Sequence, residues 1–177
     1  MSRSVLLLRA VNVSGRNSVP MARLREVLAT ETDLADVSTY IASGNIVCAT
    51  PPDTAAACET VRRAIAHEFG VDTPVVHRSH DQLVESERAQ PFPEGEAKYV
   101  HAMFLAGPAR PGAVAALRER LQPGERLDLV GDDLWIDYGD GGVASSKLTR
   151  SVLDRALGVD GTARNLRTVR RLIELTA

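Results

Sequence analysis

Residues 5–21 read VLLLRAVNVSGRNSVPM, and the fold prediction starts from this stretch. Its first seven residues form an apolar run of strand length that only Arg9 interrupts, which predicts a strand buried on both faces. A guanidinium that enters a core needs a carboxylate, carbonyl groups or a bound anion, because an unpaired buried charge costs on the order of several kcal/mol. Arg9 is therefore expected either to pair internally or to contact an anionic ligand.

The polar part of the same stretch predicts a loop that leads into a helix. Its asparagines, serines and glycine favour turns, and Pro20 stands where the first turn of the following helix should begin. A helix N-terminus attracts anions, so this loop is a candidate anion-binding site. The candidate ligand residues in it are Arg9, Asn12, Arg16 and Asn17. The stretch lacks a G-x-G-x-x-G fingerprint, so it does not predict dinucleotide binding.

The first half of the chain has a βαββαβ order. Apolar residues recur at helical spacing in residues 21–28, and the β-rich residues 37–42 and 46–49 flank a tight turn at Ser43-Gly44-Asn45. A second helix starts after Pro51-Pro52-Asp53-Thr54 and ends at Gly70, and residues 73–77 form the next strand. This order predicts a ferredoxin-like unit, an antiparallel sheet with helices on one face.

The second half repeats the architecture at an offset of roughly 95 residues. Residues 79–90 are helical in pattern, and residues 91–95, PFPEG, are the most linker-like stretch. A strand at 100–105, a helix at 111–121, a hairpin of 126–130 and 134–138 and a helix at 148–157 follow. A final helix, 165–175, stands where the sixth element of the βαββαβ order, a strand, is expected. We predict an α+β fold of two ferredoxin-like halves with antiparallel sheets, 1–90 and 97–177, either separate or packed as one unit, with an extra C-terminal helix.

Composition limits the function classes. The chain of 177 residues is 44% apolar and 25% charged with a net charge of −2, which is typical of a soluble globular protein and argues against a generally basic nucleic-acid binder. No apolar run approaches the roughly 20 residues of a membrane span, and no secretory signal begins the chain, so we expect a cytoplasmic protein. Cys48 and Cys58 are expected to be reduced core thiols, with a disulfide as the alternative. His77 and His80 lack nearby cysteines, so neither a metal nor a cofactor is predicted.

The second candidate loop is residues 139–149, GDGGVASSKLT. A P-loop starting at Gly141 would need glycine at Ser146 and serine or threonine at Leu148, so the nucleotide-site template fails. Ser146, Lys147 and Thr149 before a helix still suit a small oxyanion. The alternative is that Ser146 or Thr149 caps the helix while Lys147 is solvated. No Gly-x-Ser-x-Gly elbow, the motif of a serine nucleophile, is present. The sequence does not identify a reaction.

Five short motifs carry a family resemblance: LRAVNVSG at 8–15, VPM at 19–21, YIASGN at 40–45, SKLT at 146–149 and RN at 164–165. In this order they resemble the bacterial domain-of-unknown-function family 1697 over the full chain. The resemblance implies two ferredoxin-like halves and supplies no activity, substrate or catalytic residues. Family members often carry Gly-Ile where this chain has Ala10-Val11, and tryptophan in place of Leu166.

Three function classes follow from these observations. The first is a small anionic ligand bound between the halves, where the loops at 12–20 and 142–149 both precede helices. The second is a homodimeric interaction module, since ferredoxin-like sheets have open edges. The third is nucleic-acid binding through the C-terminal arginines, because residues 145–177 carry seven basic and three acidic residues. Only 4% of the chain is aromatic, which argues against RNA binding by base stacking.

Overall fold

A computed structural model describes all 177 residues, which form two four-stranded antiparallel sheets and seven α-helices. The α+β prediction is confirmed. By its contacts the chain divides into two units. Unit 1 comprises Met1–Leu83 and Leu172–Ala177, and unit 2 comprises Val84–Arg171.

Unit 1 contains the first ferredoxin-like sheet. Its elements are β1 (Arg3–Leu8), α1 (Met21–Glu31), β2 (Ser38–Tyr40), β3 (Asn45–Ala49), α2 (Thr54–Phe69) and β4 (Val75–Ser79), and α3 (His80–Ala89) begins in it. The strand order is β2-β3-β1-β4, with every neighbouring pair antiparallel. Two strand-helix-strand pieces around one sheet give this order, as the sequence predicted.

The core of unit 1 lies between this sheet and its two helices. Leu6 and Leu8 of β1 pack with Ile46 of β3, Leu24 of α1 and Ile65 of α2, and all five side chains are buried. The spacing of two between Leu6 and Leu8 places both on one face of the strand, and the helical stripes of α1 and α2 cover that face. The apolar periodicity of the sequence therefore marks the residues that form this core.

Unit 2 contains the second sheet with the same arrangement. Its elements are β5 (Val100–Leu105), α4 (Ala113–Arg118), β6 (Arg126–Val130), β7 (Asp133–Asp137), a short 3₁₀ turn (Gly139–Gly141), α5 (Gly142–Ser145), α6 (Arg150–Leu157) and β8 (Gly161–Asn165), and α7 (Leu166–Thr176) begins in it. The strand order β6-β7-β5-β8 matches that of the first sheet. The prediction of two ferredoxin-like halves and an extra C-terminal helix is confirmed.

Strand β8 was not predicted from the sequence. Its residues, GTARN, include neither a run of β-branched residues nor an apolar alternation, so no local pattern marks a strand. The strand forms because it pairs with β5, from Leu105 opposite Gly161 to His101 opposite Asn165. An added Cβ at Gly161 would lie 2.8 Å from Leu105 Cδ2 and 3.1 Å from the Phe104 carbonyl oxygen, so glycine suits the close approach of these two strands.

The linker-like stretch 91–95 is an ordered part of unit 2. Phe92 is buried, and the Arg126 guanidinium lies 4.6 Å from the centre of its ring. Arg126 also forms an ion pair with Glu94, which holds the pKa of that carboxyl below its usual range. An added Cβ at Gly95 would lie 2.6 Å from Val100 Cγ2. Phe92 and Gly95 of this stretch are therefore closely packed, where the sequence alone indicates a flexible connection.

Each unit has a buried arginine near the end of its fourth strand. Arg78 in β4 and Arg164 in β8 each pair with the third residue of the first strand of their unit, and both are buried. The next residue in each case caps a helix: Ser79 Oγ accepts a hydrogen bond of 3.2 Å in α3, and Asn165 Oδ1 accepts one of 2.9 Å in α7. The repeat therefore extends one helix beyond the βαββαβ order.

Candidate functional site

The predicted site residues lie in two loops, one in each unit. Arg9, Asn12, Arg16 and Asn17 lie in the loop between β1 and α1 of unit 1, and Ser146, Lys147 and Thr149 lie before α6 in unit 2. Residues 12–18 are all exposed. We call residues 9–20 the β1–α1 loop.

Asn12 organises the β1–α1 loop. Its Nδ2 donates hydrogen bonds to the carbonyls of Val19, at 2.9 Å, and Ala42, at 2.8 Å, and its Oδ1 accepts one of 2.8 Å from the Val19 amide. Its backbone amide donates to the carbonyl of Asn17 at 2.9 Å. Both amide hydrogens and the carbonyl of this side chain are thus used to tie the loop to the start of α1 and to the turn between β2 and β3.

The backbone of this loop is strained. Ala10, Asn12, Ser14 and Asn17 all have φ between 51° and 54°, in the left-handed region. Each non-glycine residue in that region costs roughly 1–2 kcal/mol, and asparagine tolerates it best. Of the four residues only Ala10 is partly buried, so packing of their side chains does not offset the strain.

The adjoining turn between β2 and β3 is strained as well. Gly44 has φ +85°, its carbonyl accepts a hydrogen bond of 2.8 Å from the Leu8 amide, and an added Cβ would lie 2.7 Å from Leu8 Cβ. Ile41 has φ 49° although it is β-branched, and its side chain is 48% exposed. Such a backbone is a rare outlier for a β-branched residue. Residues 10–17 and 41–44 thus form two strained segments side by side in unit 1.

Arg9 follows β1, and it does not interrupt the strand. The predicted strand 5–11 is too long, because β1 ends at Leu8 and the left-handed Ala10 turns the chain away. The Arg9 amide donates to Thr73 Oγ1 at 3.1 Å, and the Thr73 hydroxyl donates to the Arg9 carbonyl at 2.6 Å. Arg9 is half-buried, so its side chain does not enter the core as a strand residue would.

The remaining two candidates of the β1–α1 loop differ in their contacts. Asn17 Nδ2 donates to the Ala10 carbonyl at 2.9 Å, so this side chain closes the loop across its base. Arg16 is exposed, and its guanidinium makes no hydrogen bond or ion pair within the protein, while its backbone amide donates to the Val13 carbonyl. Arg16 is therefore a cation available to a ligand.

In the second loop, two of the three candidates serve the local backbone. Thr149 is the N-cap of α6 and accepts a hydrogen bond of 3.4 Å from the Val152 amide. Ser146 Oγ accepts one of 3.1 Å from the Leu148 amide. Lys147 is exposed and its ammonium has no partner. The loop thus has the geometry of the capping alternative, with one free ammonium beside the cap.

The seven basic residues near the C-terminus differ in their surroundings, since Arg164 is buried and the other six are exposed. Arg164 is buried, which lowers the pKa of its guanidinium to about 10, and it donates hydrogen bonds of 2.8 Å to Thr162 Oγ1 and to the Ala163 carbonyl. Arg170 forms an ion pair of 2.9 Å with Glu87. The positive charges of Arg164, in a buried strand, and of Arg170, on a helix surface, therefore have partners within the protein.

Other groups of possible chemical interest are inert in their surroundings. Cys48 and Cys58 are free thiols in the core of unit 1, and burial raises the pKa of Cys48 and raises that of Cys58 to about 11. Histidine, cysteine and acidic side chains nowhere cluster in a set of three suited to a metal ion. None of the helices combines the length and apolar character needed to cross a membrane.

A cavity of unit 1 lies away from the strained loop. It has a volume of about 280 Å³ and is lined by residues such as Leu34, Ala49, Pro52 and Asp53. Ala49 pairs with Arg3 at the start of β1, whereas the β1–α1 loop follows the end of β1. The strained loop is thus an exposed surface feature at the other end of the sheet, and none of its residues lines the cavity.

Sequence reasoning missed three residues that shape this site. Ala10 and Ile41 carry no sequence signal for a left-handed backbone, because neither is a residue type that favours it. Thr73 was predicted to start a strand, yet its hydroxyl holds the backbone of Arg9. Among the left-handed, non-glycine residues of this site, only the asparagines of the loop are of a type that favours this backbone and could have indicated it from the sequence.

Among solved structures, the chain is similar to that of the conserved bacterial protein SP0830 from Streptococcus pneumoniae, with a TM-score of 0.75, 22% sequence identity and 99% of each chain covered. A similarity at this identity supports the fold alone. No functionally curated protein matches the chain. The family described as protein of unknown function (DUF1697) matches residues 1–135, more than three quarters of the sequence. The chain therefore belongs to the DUF1697 family.

Proposed function

We propose that the β1–α1 loop of unit 1 binds a small anionic ligand. The observation that carries the proposal is the concentration of left-handed, non-glycine residues in exposed positions of this loop and of the adjoining turn. Backbone strain of this kind clusters at binding and catalytic sites, where a surrounding network holds the chain ready for a ligand. Here the network is the set of four hydrogen bonds made by Asn12.

The charges and donors around the loop favour an anion. Arg16 has no partner for its guanidinium, and no acidic residue lies in the first turn of α1. The N-cap of α1 is Pro20, whose side chain cannot accept a hydrogen bond, so the first amides of the helix lack a side-chain cap. An uncapped helix N-terminus next to a free guanidinium favours a phosphate, sulfate or carboxylate.

The loop that precedes α6 in unit 2 is tested separately from the β1–α1 loop. Lys147 carries a free ammonium in unit 2, and its participation with Ser146 and Thr149 in the same ligand site stays a prediction from the sequence. The proposal assigns binding and no reaction. A variant at Lys147 therefore belongs in the experiment as an independent arm.

The proposal is tested by thermal unfolding with phosphate, sulfate, nucleotides and carboxylates as probes. A ligand at 100 times its Kd adds about 2.7 kcal/mol to the free energy of unfolding. We expect at least one probe to stabilise the protein, and Arg9→Met and Arg16→Met to remove that effect. Arg63→Met, at an exposed position of α2, is the matched control and should retain it. If Lys147→Met also loses the stabilisation by the anion, the loop before α6 contributes to the same site.

Two results would contradict the proposal. In the first, no anion stabilises the protein. In the second, an anion stabilises the two loop variants as much as it stabilises the unchanged protein. The strain itself can be checked with Ser14→Gly, which should raise the free energy of unfolding by about 0.5–1 kcal/mol, because glycine adopts the left-handed backbone without strain. Ser18→Gly, also exposed but without a positive φ, should not raise it.

The two alternative functions stay predictions. Homodimerisation through a sheet edge would need an exposed strand, and β2, one edge of the first sheet, has only three residues. Light scattering that shows a concentration-independent monomer would exclude a dimer. Nucleic-acid binding through the C-terminal arginines would appear in a filter-binding assay at about 50 mM salt and weaken steeply as salt rises.

A further inference from the structure

A groove of about 340 Å³ lies between α4 and α6 of unit 2. Its wall is apolar where the two helices meet and includes Ala113, Leu117, Val152 and Ala156. Ala113 and Leu117 are buried in the core of the unit, so the floor of the groove is the outer side of that core. The volume lies at the lower end of the range for small-molecule sites.

Three arginines surround this groove. Arg110 precedes α4, Arg120 follows it and Arg155 projects from α6, and all three are exposed. None of them has a carboxylate within ion-pair distance, although Glu119 also lines the groove. Arg118, on the same helix and outside the groove, does pair with a carboxylate, at 3.2 Å from Asp128. On and beside α4, the guanidiniums without a carboxylate partner are thus those that line the groove.

Arg110 is held in place by the end of α6. Its amide donates to the Leu157 carbonyl at 2.8 Å, and its guanidinium donates to the Arg155 carbonyl at 3.4 Å. Its side chain lies over Gly158, where an added Cβ would stand 2.9 Å from Arg110 Nε. A cation at a helix C-terminus is also favoured electrostatically. One of the three guanidiniums is therefore fixed before any ligand arrives, which reduces the entropy lost on binding.

We infer that this groove binds a small organic dianion, a phosphate monoester or a dicarboxylate that carries an apolar group. Three positive charges against one negative charge leave an excess that matches a dianion. Guanidinium groups bind phosphate and carboxylate through paired, charge-assisted hydrogen bonds. The apolar floor between the helices provides a place for the organic part. This site lies in unit 2 and shares no residue with the loop of the proposed function.

The experiment is an NMR titration of the full chain, followed through its backbone amides. Phenyl phosphate and phthalate represent the two dianion classes, inorganic phosphate lacks the apolar group, and benzylammonium reverses the charge. We expect saturable shifts in residues 110–120 and 152–158 with phenyl phosphate, phthalate or both. Inorganic phosphate should bind more weakly, and benzylammonium should cause no shifts there.

Variants locate the binding on the groove. The double change Arg120→Met with Arg155→Met should weaken binding about tenfold or more, since two charge-assisted contacts are lost. Ala116→Glu, which adds a carboxylate inside the groove, should weaken binding as well. This variant tests the same site if the double variant fails to fold. Arg118→Met is the matched control and should bind as before. The inference is overturned if neither dianion shifts these residues, if inorganic phosphate binds as tightly as phenyl phosphate, or if Arg118→Met weakens binding as much as the double variant.

Discussion

The close approach of the β2–β3 turn to β1 predicts that Gly44→Ala destabilises unit 1 strongly. The new Cβ would lie 2.7 Å from Leu8 Cβ and 2.9 Å from Val11 Cγ2, and both neighbours are buried. A Cβ position is fixed by its own backbone, so no change of rotamer at Leu8 relieves the closest contact. The strand, the turn or both must move.

The expected magnitude has two parts. At φ +85° alanine is strained, which costs about 1–2 kcal/mol. Forcing a methyl group into a filled core costs roughly 1–3 kcal/mol more. The free energy of unfolding should therefore fall by about 2–5 kcal/mol, a large part of the stability of a domain.

The matched control is Gly70→Ala. Gly70 ends α2 at φ +66°, and an added Cβ there meets nothing within 4 Å. It carries the conformational cost without the clash, so urea unfolding followed by far-UV circular dichroism should show a loss of about 1–2 kcal/mol. Equal losses for the two variants would refute the close packing of this turn against β1.

Three further predictions concern other parts of the chain. Gly95→Ala should destabilise unit 2 by about 1–3 kcal/mol, because its Cβ meets packed atoms; fluorescence of the single, buried Trp135 reports the unfolding, and an unchanged transition would contradict it. Asp53→Ala removes the N-cap of α2, whose Oδ1 accepts a 2.9 Å hydrogen bond, and should cost about 0.5–2 kcal/mol, whereas Asp53→Asn should be nearly neutral. Burial lowers the pKa of His77 and of His101 below the ordinary value of 6.5. The free energy of unfolding is therefore highest above that pH and falls as the pH drops, since the unfolded chain then binds protons that the folded chain does not. Urea unfolding from about pH 7.5 to 5 should show the fall, and replacing both histidines by glutamine should flatten it.

Local interactions explain the parts of the fold that were predicted correctly. The start and end of α2 follow from Asp53, which accepts a hydrogen bond from the amide three residues on, and from Gly70, which takes the left-handed backbone that ends the helix. The continuous apolar run of β1 likewise marks a strand buried on both faces, and the apolar spacing of α1 marks the face that this helix buries. All these signals span a few residues, so they can be read along the chain.

For the candidate site, the sequence predicted the loops and their ligand residues, and ligand binding itself stays a prediction. The sequence indicated a loop with anion-binding residue types, but it extended β1 to Val11 and placed Arg9 inside it. The structure ends the strand at Leu8 because Ala10 turns the backbone, and it commits Asn12 to the carbonyls of Val19 and Ala42. The second of these partners belongs to another turn of the chain, so only the packed sheet brings it within reach.

The sequence by itself determined the order of most helices and strands, the buried face of most of them and the repeat of one architecture. The tertiary structure decided which segments meet: that GTARN becomes β8 beside β5, that the linker-like stretch packs against Arg126, and that Arg110 lies over Gly158. The physical reason is that periodicity records whether a residue is buried, while the identity of its neighbour depends on strand register and close approach between distant segments.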